Sequence, residues 1–263
     1  MDPNKLRLHV LDMVFSKKSG HIGGSFSLAE IIADLYSRFD LTNTDKLKGD
    51  KLILSKGHAA PILYAAHLEL GLFPYDTILS FRELESTFQG HPDSRFNRFV
   101  HASTGSLGQG LSIACGIALS KKLNNDPSKV FCILGDGELN EGQIYEALMF
   151  INKYNLSNLI TIIDSNGYQN DGSTSTIMPI FSFSRVVQGF GLCIRKIDGN
   201  NSEEIAKEDF STAIPTVYIL NTVKGCGVDF MEGKDWHSRV PNQEEYQLAK
   251  EQLLSKIKST PNE

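Results

Sequence analysis

The stretch VFCILGDGELNEG, residues 130–142, joins an apolar run to an aspartate that stands between two glycines. The apolar run predicts a strand that is buried on both faces, as in a parallel sheet. A glycine-rich turn after a strand commonly holds a phosphate through main-chain N–H groups. Here Asp136, Glu138 and Glu141 would repel a phosphate unless a cation lay between them. The stretch therefore predicts a strand end and a binding site that requires a positive charge.

Short apolar runs alternate with longer helical patterns along the whole chain. The predicted strands are residues 51–54, 130–134, 159–164, 192–197 and 216–221, and the predicted helices are about 5–18, 27–38, 59–70, 107–123 and 141–155. This alternation predicts an α/β fold, with a mostly parallel sheet and helices on both faces. We expect one domain over 1–263, with a peripheral C-terminal helix at about 242–258. Residues 198–215 leave room for only a short helix.

The bulk composition excludes several classes of protein. With 263 residues, 41% apolar residues and 22% charged residues, the chain can bury a large core. A net charge of −5 without a long basic run argues against nucleic-acid binding. No apolar run has membrane-spanning length, and the charged, amphipathic N-terminal stretch is unlike a signal peptide. Of the four cysteines, three lie in apolar segments and are interpreted as reduced, packed thiols, so we expect a cytoplasmic protein.

Two predicted strand ends carry oxygen ligands. Asp136 follows one strand, and Asn166 follows another in IIDSNGYQNDG, residues 162–172. Carboxylate, amide and main-chain oxygens are the ligands that Mg²⁺ or Ca²⁺ prefers, and phosphates and water complete the shell of Mg²⁺. A cation between Asp136 and a diphosphate would cancel the repulsion noted above. A glycine-flanked aspartate alone could be only a tight turn. Asn166 at the end of a second predicted strand makes that interpretation much weaker.

The spacing from Gly135-Asp136-Gly137 to Asn166 resembles the thiamine diphosphate signature of transketolase-like enzymes. Further blocks match that family in order and cover nearly the whole chain: KSGHIGG (18–24), LSKGHAAPILYA (54–65), GHPD (90–93), STGSLGQGLSIACG (103–116) and VKGCGVDFMEGKDWHSRVPN (223–242). Several blocks in order are far more specific than any one of them. The resemblance implies the thiamine diphosphate-binding fold and a magnesium-dependent transferase, in which Ca²⁺ or Mn²⁺ could replace Mg²⁺.

Carried over residue by residue, the resemblance implies a role for each matching position. Asp136, Asn166 and the main-chain carbonyl of Tyr168 would bind the metal. The coenzyme would contact these residues: His58, Gly105, Leu107, Asp136, Gly137, Glu141, Asn166 and His237. Glu141 would join a carboxylate network that reaches a partner's pyrimidine-binding domain, and is counted among the catalytic residues.

Four of the seven histidines lie in glycine-, serine- or proline-rich or tryptophan-flanked motifs. The resemblance implies that His21, His58, His91 and His237 converge where the coenzyme meets a sugar. Imidazole suits the proton transfers to hydroxyls near neutral pH that such chemistry needs. His9, His67 and His101 are interpreted as ordinary structural residues, although His101 could flank the site.

The family's pyrimidine-binding and C-terminal domains have no counterpart in this sequence. The resemblance therefore implies the N-terminal subunit of a split transketolase, which would act with a C-terminal subunit, most simply as a heterotetramer with two copies of each chain. It would move a two-carbon ketol unit from a ketose to an aldehyde acceptor. An isolated remnant or a truncated chain is the alternative.

Other functions stay open from the sequence. A 1-deoxyxylulose-phosphate synthase-like or 2-oxoacid dehydrogenase-like enzyme shares the Asp136…Asn166 chemistry, but the SGHIGG, SKGHAAP and DWH motifs favour transketolase. A non-catalytic binding or regulatory subunit would keep the fold without turnover. The identity of the donor and acceptor sugars cannot be read from the sequence.

Overall fold

The computed structural model describes residues 1–170, 172–179 and 182–259. The predicted span 1–263 therefore includes a few residues outside the described part. The described chain contains seven strands: β1 Lys51–Leu54, β2 Val130–Gly135, β3 Leu159–Ser165, β4 Tyr168–Gln169, β5 Gly172–Ser173, β6 Cys193–Asp198 and β7 Thr216–Asn221. Its ten α-helices are α1 Pro3–Lys17, α2 Gly23–Phe26, α3 Ala29–Arg38, α4 Ala60–Glu69, α5 Gln109–Leu123, α6 Gly142–Tyr154, α7 Thr174–Ile177, α8 Phe183–Gly189, α9 Ser202–Ala206 and α10 Gln243–Ser259.

The five predicted strands form one parallel sheet in the order β1-β2-β3-β7-β6. Alternate residues of each strand point to opposite faces, and each face is covered. The core on one face includes residues of α1, α3, α4, α9 and α10, and the core on the other includes residues of α5, α6 and α8. In β2, Phe131 and Ile133 join the first core, whereas Cys132 and Leu134 join the second. The predicted α/β class is thus confirmed.

Three details differ from the sequence prediction or complete it. The helix predicted at 27–38 is α3, Ala29–Arg38, and the short helix α2, Gly23–Phe26, precedes it and was not predicted. β6 lies at the sheet edge and is mostly exposed, so the prediction of a packed thiol is wrong for Cys193, while Cys115 and Cys132 are buried. The crossover between β6 and β7 contains only the five-residue α9, as expected from its length.

The C-terminal helix α10 lies against α1. Tyr246 stacks on Phe15 with ring centroids 3.9 Å apart, and its hydroxyl donates to Asp12 Oδ1 at 2.7 Å. Ala249 and Leu253 are buried in the core beside α1. Within the described residues, no helix combines the length and the hydropathy that a bilayer span requires.

The strand register places the two motifs of the predicted site side by side. Gly135 at the end of β2 pairs with Asp164 of β3, and the Asp136 N–H donates to the Asp164 carbonyl at 3.1 Å. Asp136 and Asn166 therefore leave the sheet at the same edge, the carboxyl end, where ligands bind in open parallel sheets.

Candidate active site

A cavity of about 430 Å³ opens at the carboxyl ends of β1, β2 and β3. Most of the residues predicted to bind the coenzyme or the metal line it: His58, Gly105, Leu107, Asp136, Gly137, Asn166, Tyr168 and His237. Five different segments of the chain contribute them. The strand order and the loops that follow the strands therefore bring the predicted set into one place.

The Asp136 carboxylate lines this cavity. Its Oδ1 accepts a hydrogen bond from the Gly137 N–H at 2.8 Å, and its Oδ2 accepts one from the Gly167 N–H at 2.6 Å. Burial, and then the charge of Asp164, raise the pKa of Asp136 to about 6. A nearby cation would stabilise the charged form of this buried carboxylate and so lower its pKa again.

A buried polar network lies directly behind Asn166. Asp164 is fully buried, and its carboxylate accepts hydrogen bonds from Ser27 Oγ at 2.7 Å, from Thr222 Oγ1 and from Lys56 Nζ. Asn166 Nδ2 also donates to Asp164 Oδ2, at 3.0 Å. This network fixes the orientation of the Asn166 amide.

Sequence reasoning missed the Lys56–Asp164 pair. The signal was present, because a lysine or an aspartate inside an apolar strand or beside one is buried only with a partner. Lys56 follows β1 and Asp164 lies within β3, so the pairing depends on the three-dimensional strand order.

The three acidic residues of the opening motif have three different environments. Glu138 is buried, and its two oxygens accept hydrogen bonds from Ser55 Oγ at 2.5 Å, the Gly108 N–H at 2.8 Å and the Gly135 N–H at 3.1 Å. Glu141 is exposed, precedes α6 and does not line the cavity. Glu138 also lines the cavity but accepts three hydrogen bonds, whereas Asp136 accepts one on each oxygen and keeps more lone pairs for a ligand.

Two glycines bring the backbone close to the cavity. A Cβ on Gly137 would lie 2.4 Å from Gln169 Cβ, and a Cβ on Gly105 would lie 3.2 Å from the ring of His91. Gly105 also has a φ of 150°, a backbone conformation that residues with a side chain rarely adopt. A larger residue at either position would displace its neighbour, so the shape of the cavity wall depends on glycine here.

Three histidine rings form a triangle, of which His58 and His237 line the cavity and His21 does not. The ring centroids of His21 and His58 are 5.4 Å apart, those of His21 and His237 are 4.9 Å apart, and those of His58 and His237 are 5.2 Å apart. The Gly23 N–H donates to the Trp236 carbonyl at 3.0 Å, which ties the loop of His237 to the loop of His21. The fourth predicted histidine, His91, lies behind Gly105 and outside the cavity lining.

The surroundings of His21, His58 and His91 keep these three rings uncharged. Burial, and then the charge of His237, lower the pKa of His21 to about 3. Burial lowers the pKa of His58 well below its usual value, with Lys56 as the next cause. Burial also lowers the pKa of His91, with help from Arg82. At neutral pH these three rings are therefore neutral imidazoles, each with one donor and one acceptor nitrogen.

A second lysine lines the cavity and was not predicted. Lys224 Nζ donates to the Asn170 carbonyl at 3.0 Å and lies 5.0 Å from the centre of the Tyr168 ring. The Tyr168 hydroxyl in turn donates to the Gly233 carbonyl. Lys224 lies in the quoted 223–242 block, where a basic residue at a glycine-rich turn would have been the signal for anion binding.

The other three histidines lie outside the cavity lining and contact groups elsewhere in the fold. His9 pairs with Glu69 at 3.1 Å, and His67 Nε2 lies 3.0 Å from the Tyr36 hydroxyl. His101 Nδ1 accepts a hydrogen bond from the Leu52 N–H of β1 at 3.0 Å.

Comparison with known proteins identifies the family. A family model described as "Transketolase, thiamine diphosphate binding domain" matches residues 3–259. The chain is 39% identical to the 6-deoxy-6-sulfo-D-fructose transketolase subunit SqwG of Clostridium sp. strain MSTE9, over 88% of this chain and 86% of that protein. It is 33% identical to an apulose-4-phosphate transketolase subunit of Phocaeicola vulgatus, over 100% of this chain and 96% of that protein.

Longer relatives match over part of their length. Transketolase-like protein 2 of Mus musculus is 37% identical over 90% of this chain and 39% of that protein. The crystal structure of transketolase from Campylobacter jejuni superposes with a TM-score of 0.88 at 32% identity, and covers 95% of this chain and 42% of that chain. The chain thus spans about two fifths of these longer proteins and most of the two proteins named as subunits.

Proposed function

This chain belongs to the transketolase family and contains its thiamine diphosphate-binding domain, and we propose that it is the N-terminal subunit of a split transketolase. The enzyme would transfer a two-carbon ketol unit from a ketose donor to an aldehyde acceptor. One observation carries the proposal: His58 and His237 share one cavity with the Asp136–Asn166 pair, and the His21 ring packs on both of these histidines.

The residues of the cavity fit the diphosphate end of the coenzyme and a divalent cation. Asp136, the Asn166 amide oxygen and the Tyr168 carbonyl would hold Mg²⁺, or Ca²⁺ or Mn²⁺ in its place. Among the described residues, no group of three or more His, Cys, Asp or Glu side chains could hold a metal, so the phosphate oxygens would complete the coordination. His58, His237, Lys224 and the Gly137 backbone would face the diphosphate, and Gly105 and Leu107 would flank the coenzyme.

When bound, thiamine diphosphate supplies the electron sink for carbon–carbon bond cleavage. The chain's own contribution is positioning and proton handling. The neutral imidazoles of His21 and His58 can donate to, or accept from, substrate hydroxyls without first losing a proton. His91, behind Gly105, would act at the same end of the cavity.

The pyrimidine end of the coenzyme needs protein groups from another polypeptide or segment. Two relatives of nearly the same length are named as transketolase subunits, which supports a separate partner and a heterotetramer with two copies of each chain. Glu141 is exposed beside the Gly108 backbone, so its predicted role in a carboxylate network requires the partner to cover it.

Four free cysteines support the proposal of a cytoplasmic location.

The substrates are ketoses and aldehydes. The names of the two relatives that are subunits each contain a ketose with an anionic group, a sulfonate in one and a phosphate in the other. We therefore include an anionic ketose as the donor class, and the partner would supply much of the anion site.

Reconstitution tests the proposal. The purified chain is combined with the product of a neighbouring gene that encodes a pyrimidine-binding domain, then supplied with thiamine diphosphate, Mg²⁺ and an aldehyde acceptor. We expect a ketol product from hydroxypyruvate, and none when either chain is omitted. Release of CO₂ from pyruvate alone would favour the synthase-like or dehydrogenase-like alternative. Coenzyme binding by the assembled chains without any turnover would favour the non-catalytic alternative.

A further inference from the structure

Arg82 contacts a histidine of the triangle from outside the cavity. Its Nη2 lies 3.2 Å from His21 Nδ1, and its Nη1 donates to Ser19 Oγ at 2.7 Å. Neither Arg82 nor His21 is part of the cavity lining, whereas His58 and His237, on which the His21 ring packs, do line it. The His21 ring therefore lies between the guanidinium and the other two rings.

This contact determines which ring nitrogen carries the proton. A guanidinium has five donors and no acceptor, and it stays protonated in proteins. His21 Nδ1 must therefore accept the hydrogen bond from Arg82. In a neutral imidazole the proton then lies on Nε2.

The surrounding structure holds the guanidinium at this position. The Arg82 main-chain N–H donates to the Phe88 carbonyl at 2.8 Å, and Arg82 has a left-handed φ of 62°. Gly90 leaves space beside the guanidinium, because a Cβ on it would lie 3.2 Å from Arg82 Nε. Ser19 accepts from Nη1, the second terminal nitrogen, while the buried Nε has no hydrogen-bond partner among the described residues. The guanidinium is thus held by hydrogen bonds at its two terminal nitrogens, with little room beside Nε.

We propose that Arg82 is a positioning residue that holds His21 as the Nε2–H tautomer, so that His21 presents a hydrogen-bond donor to substrate oxygen atoms. This inference rests on the proposed function of the cavity, and it assigns His21 the role of donor rather than base. Proton acceptance then falls to the other imidazoles of the cluster.

The groups that face His21 also favour its neutral form. They are His58, His91, His237, Arg82 and Lys224, and none of them is a carboxylate. Burial is the largest reason why the pKa of His21 falls to about 3. His21 is therefore expected to stay neutral, with the proton on Nε2, over the range in which the enzyme would be assayed.

The tautomer can be read directly by NMR. Protein labelled with ¹⁵N-histidine is recorded in two-bond ¹H–¹⁵N spectra, and the spectrum of His21→Gln identifies the His21 signals. The wild-type chain is expected to show a protonated Nε2 and an unprotonated Nδ1 from pH 6 to 8. Arg82→Met is expected to give a mixture of tautomers, and its His21 is expected to titrate at higher pH than in the wild type.

Kinetics of the assembled enzyme give the second readout. We expect Arg82→Met to lower kcat/KM roughly 10- to 100-fold, the size of effect seen for groups that orient histidine ligands of metals. We expect Arg82→Lys to recover part of this loss, because it keeps a charged donor. Arg95→Met is the matched control, since Arg95 is an exposed arginine paired with Asp93. It should leave both the His21 signals and kcat/KM unchanged.

Two results would overturn the assignment. One is a folded Arg82→Met chain whose His21 keeps a single Nε2–H tautomer, and the other is a wild-type His21 protonated on Nδ1. Arg82→Gln serves for the same comparison if Arg82→Met does not fold. Because the NMR signal does not depend on turnover, loss of the proposed function would appear separately, as an assembled enzyme without ketol transfer.

Discussion

Lys56 and Asp164 form an ion pair whose side chains are 2% and 0% exposed, directly behind the ligand-binding edge of the sheet. Lys56 Nζ also donates to the Gly24 carbonyl at 3.0 Å, and Asp164 also accepts from Asn166. The pair thus links the loop after β1, the end of β3 and the segment that carries His21. The stability of the fold and the geometry of the predicted metal site depend on the same buried charges.

Asp164→Asn is expected to destabilise the chain strongly. The substitution leaves the Lys56 ammonium buried without its partner, which typically costs about 3–5 kcal/mol. Urea unfolding followed by circular dichroism measures the free energy of unfolding. Coenzyme affinity of the folded fraction should fall as well, because Asn166 loses the group that orients it.

Glu83→Gln is the matched control for this prediction. Glu83 pairs with Lys17 on the surface, with 57% of its side chain exposed. An exposed ion pair contributes about 0–1 kcal/mol to the free energy of unfolding. Equal losses of stability for Asp164→Asn and Glu83→Gln would contradict the importance assigned to the buried pair.

Asp136→Asn is expected to abolish Mg²⁺-dependent coenzyme binding. In the wild-type chain the pKa of Asp136 is raised to about 6, and a cation binds only the deprotonated carboxylate. Below pH 6, affinity for Mg²⁺ should therefore fall up to about tenfold for each pH unit. Isothermal titration calorimetry of the assembled chains at pH 5 to 8 measures this. Unchanged affinity in the variant would refute the metal assignment.

The same carboxylate predicts a pH-dependent stability without cation. Because its folded pKa is raised from 3.8 to about 6, its contribution to stability is complete below about pH 3.8 and is lost as pH rises through 6. At 1.36 kcal/mol for each unit by which the pKa is raised, the free energy of unfolding falls by about 3 kcal/mol. In the presence of a chelator, the stability of Asp136→Asn relative to wild type should rise by most of this amount from pH 4 to pH 7. A constant difference across that range would contradict the raised pKa.

His237→Ala is expected to lower turnover much more than stability. The ring is half-buried in the triangle, and loss of a proton-handling or positioning imidazole typically costs about 10²- to 10⁴-fold in rate. Steady-state assays and urea unfolding of the same preparation provide the two measurements.

His101→Ala should show the opposite pattern. It removes the acceptor of the Leu52 N–H, which leaves a buried donor unsatisfied at a cost of about 1–3 kcal/mol. Its turnover per folded enzyme should stay close to wild type. The ratio of the loss in turnover to the loss in stability is compared between the two variants. If His237→Ala and His101→Ala gave the same ratio, the catalytic assignment of His237 would be wrong.

Gly105→Ala is expected to weaken coenzyme binding at least tenfold. The added methyl group would press on the His91 ring, and the residue would have to keep a φ of 150°, at a cost of about 1–3 kcal/mol. Fluorescence quenching by the coenzyme measures the affinity.

Gly116→Ala offers a contrasting glycine in the middle of α5. Its Cβ would meet nothing within 4 Å, so alanine should stabilise the chain by about 0.5–1 kcal/mol through helix propensity. Stabilisation by both substitutions would argue against a glycine requirement at position 105.

Much of the fold could be predicted from local patterns. The apolar runs identified all five strands of the main sheet, because strands buried on both faces are almost continuously apolar. Helical periodicity located the long helices to within a few residues. The edge strand β6 was the exception in burial, because its free edge is exposed, whereas β1 at the other edge is buried and its Leu52 N–H donates to His101.

The sequence by itself determined the chemistry of the site, because Asp136, Asn166 and the histidine motifs are recognisable from residue type and spacing. Only the tertiary structure decided which of these groups face one another. It placed Glu138 in a buried hydrogen-bond network and left Glu141 exposed, although the two lie three residues apart. It also joined Lys56 to Asp164 and Arg82 to His21. Such contacts follow from strand order and loop path, which bring together segments far apart in the chain, and local sequence carries no direct record of those distances.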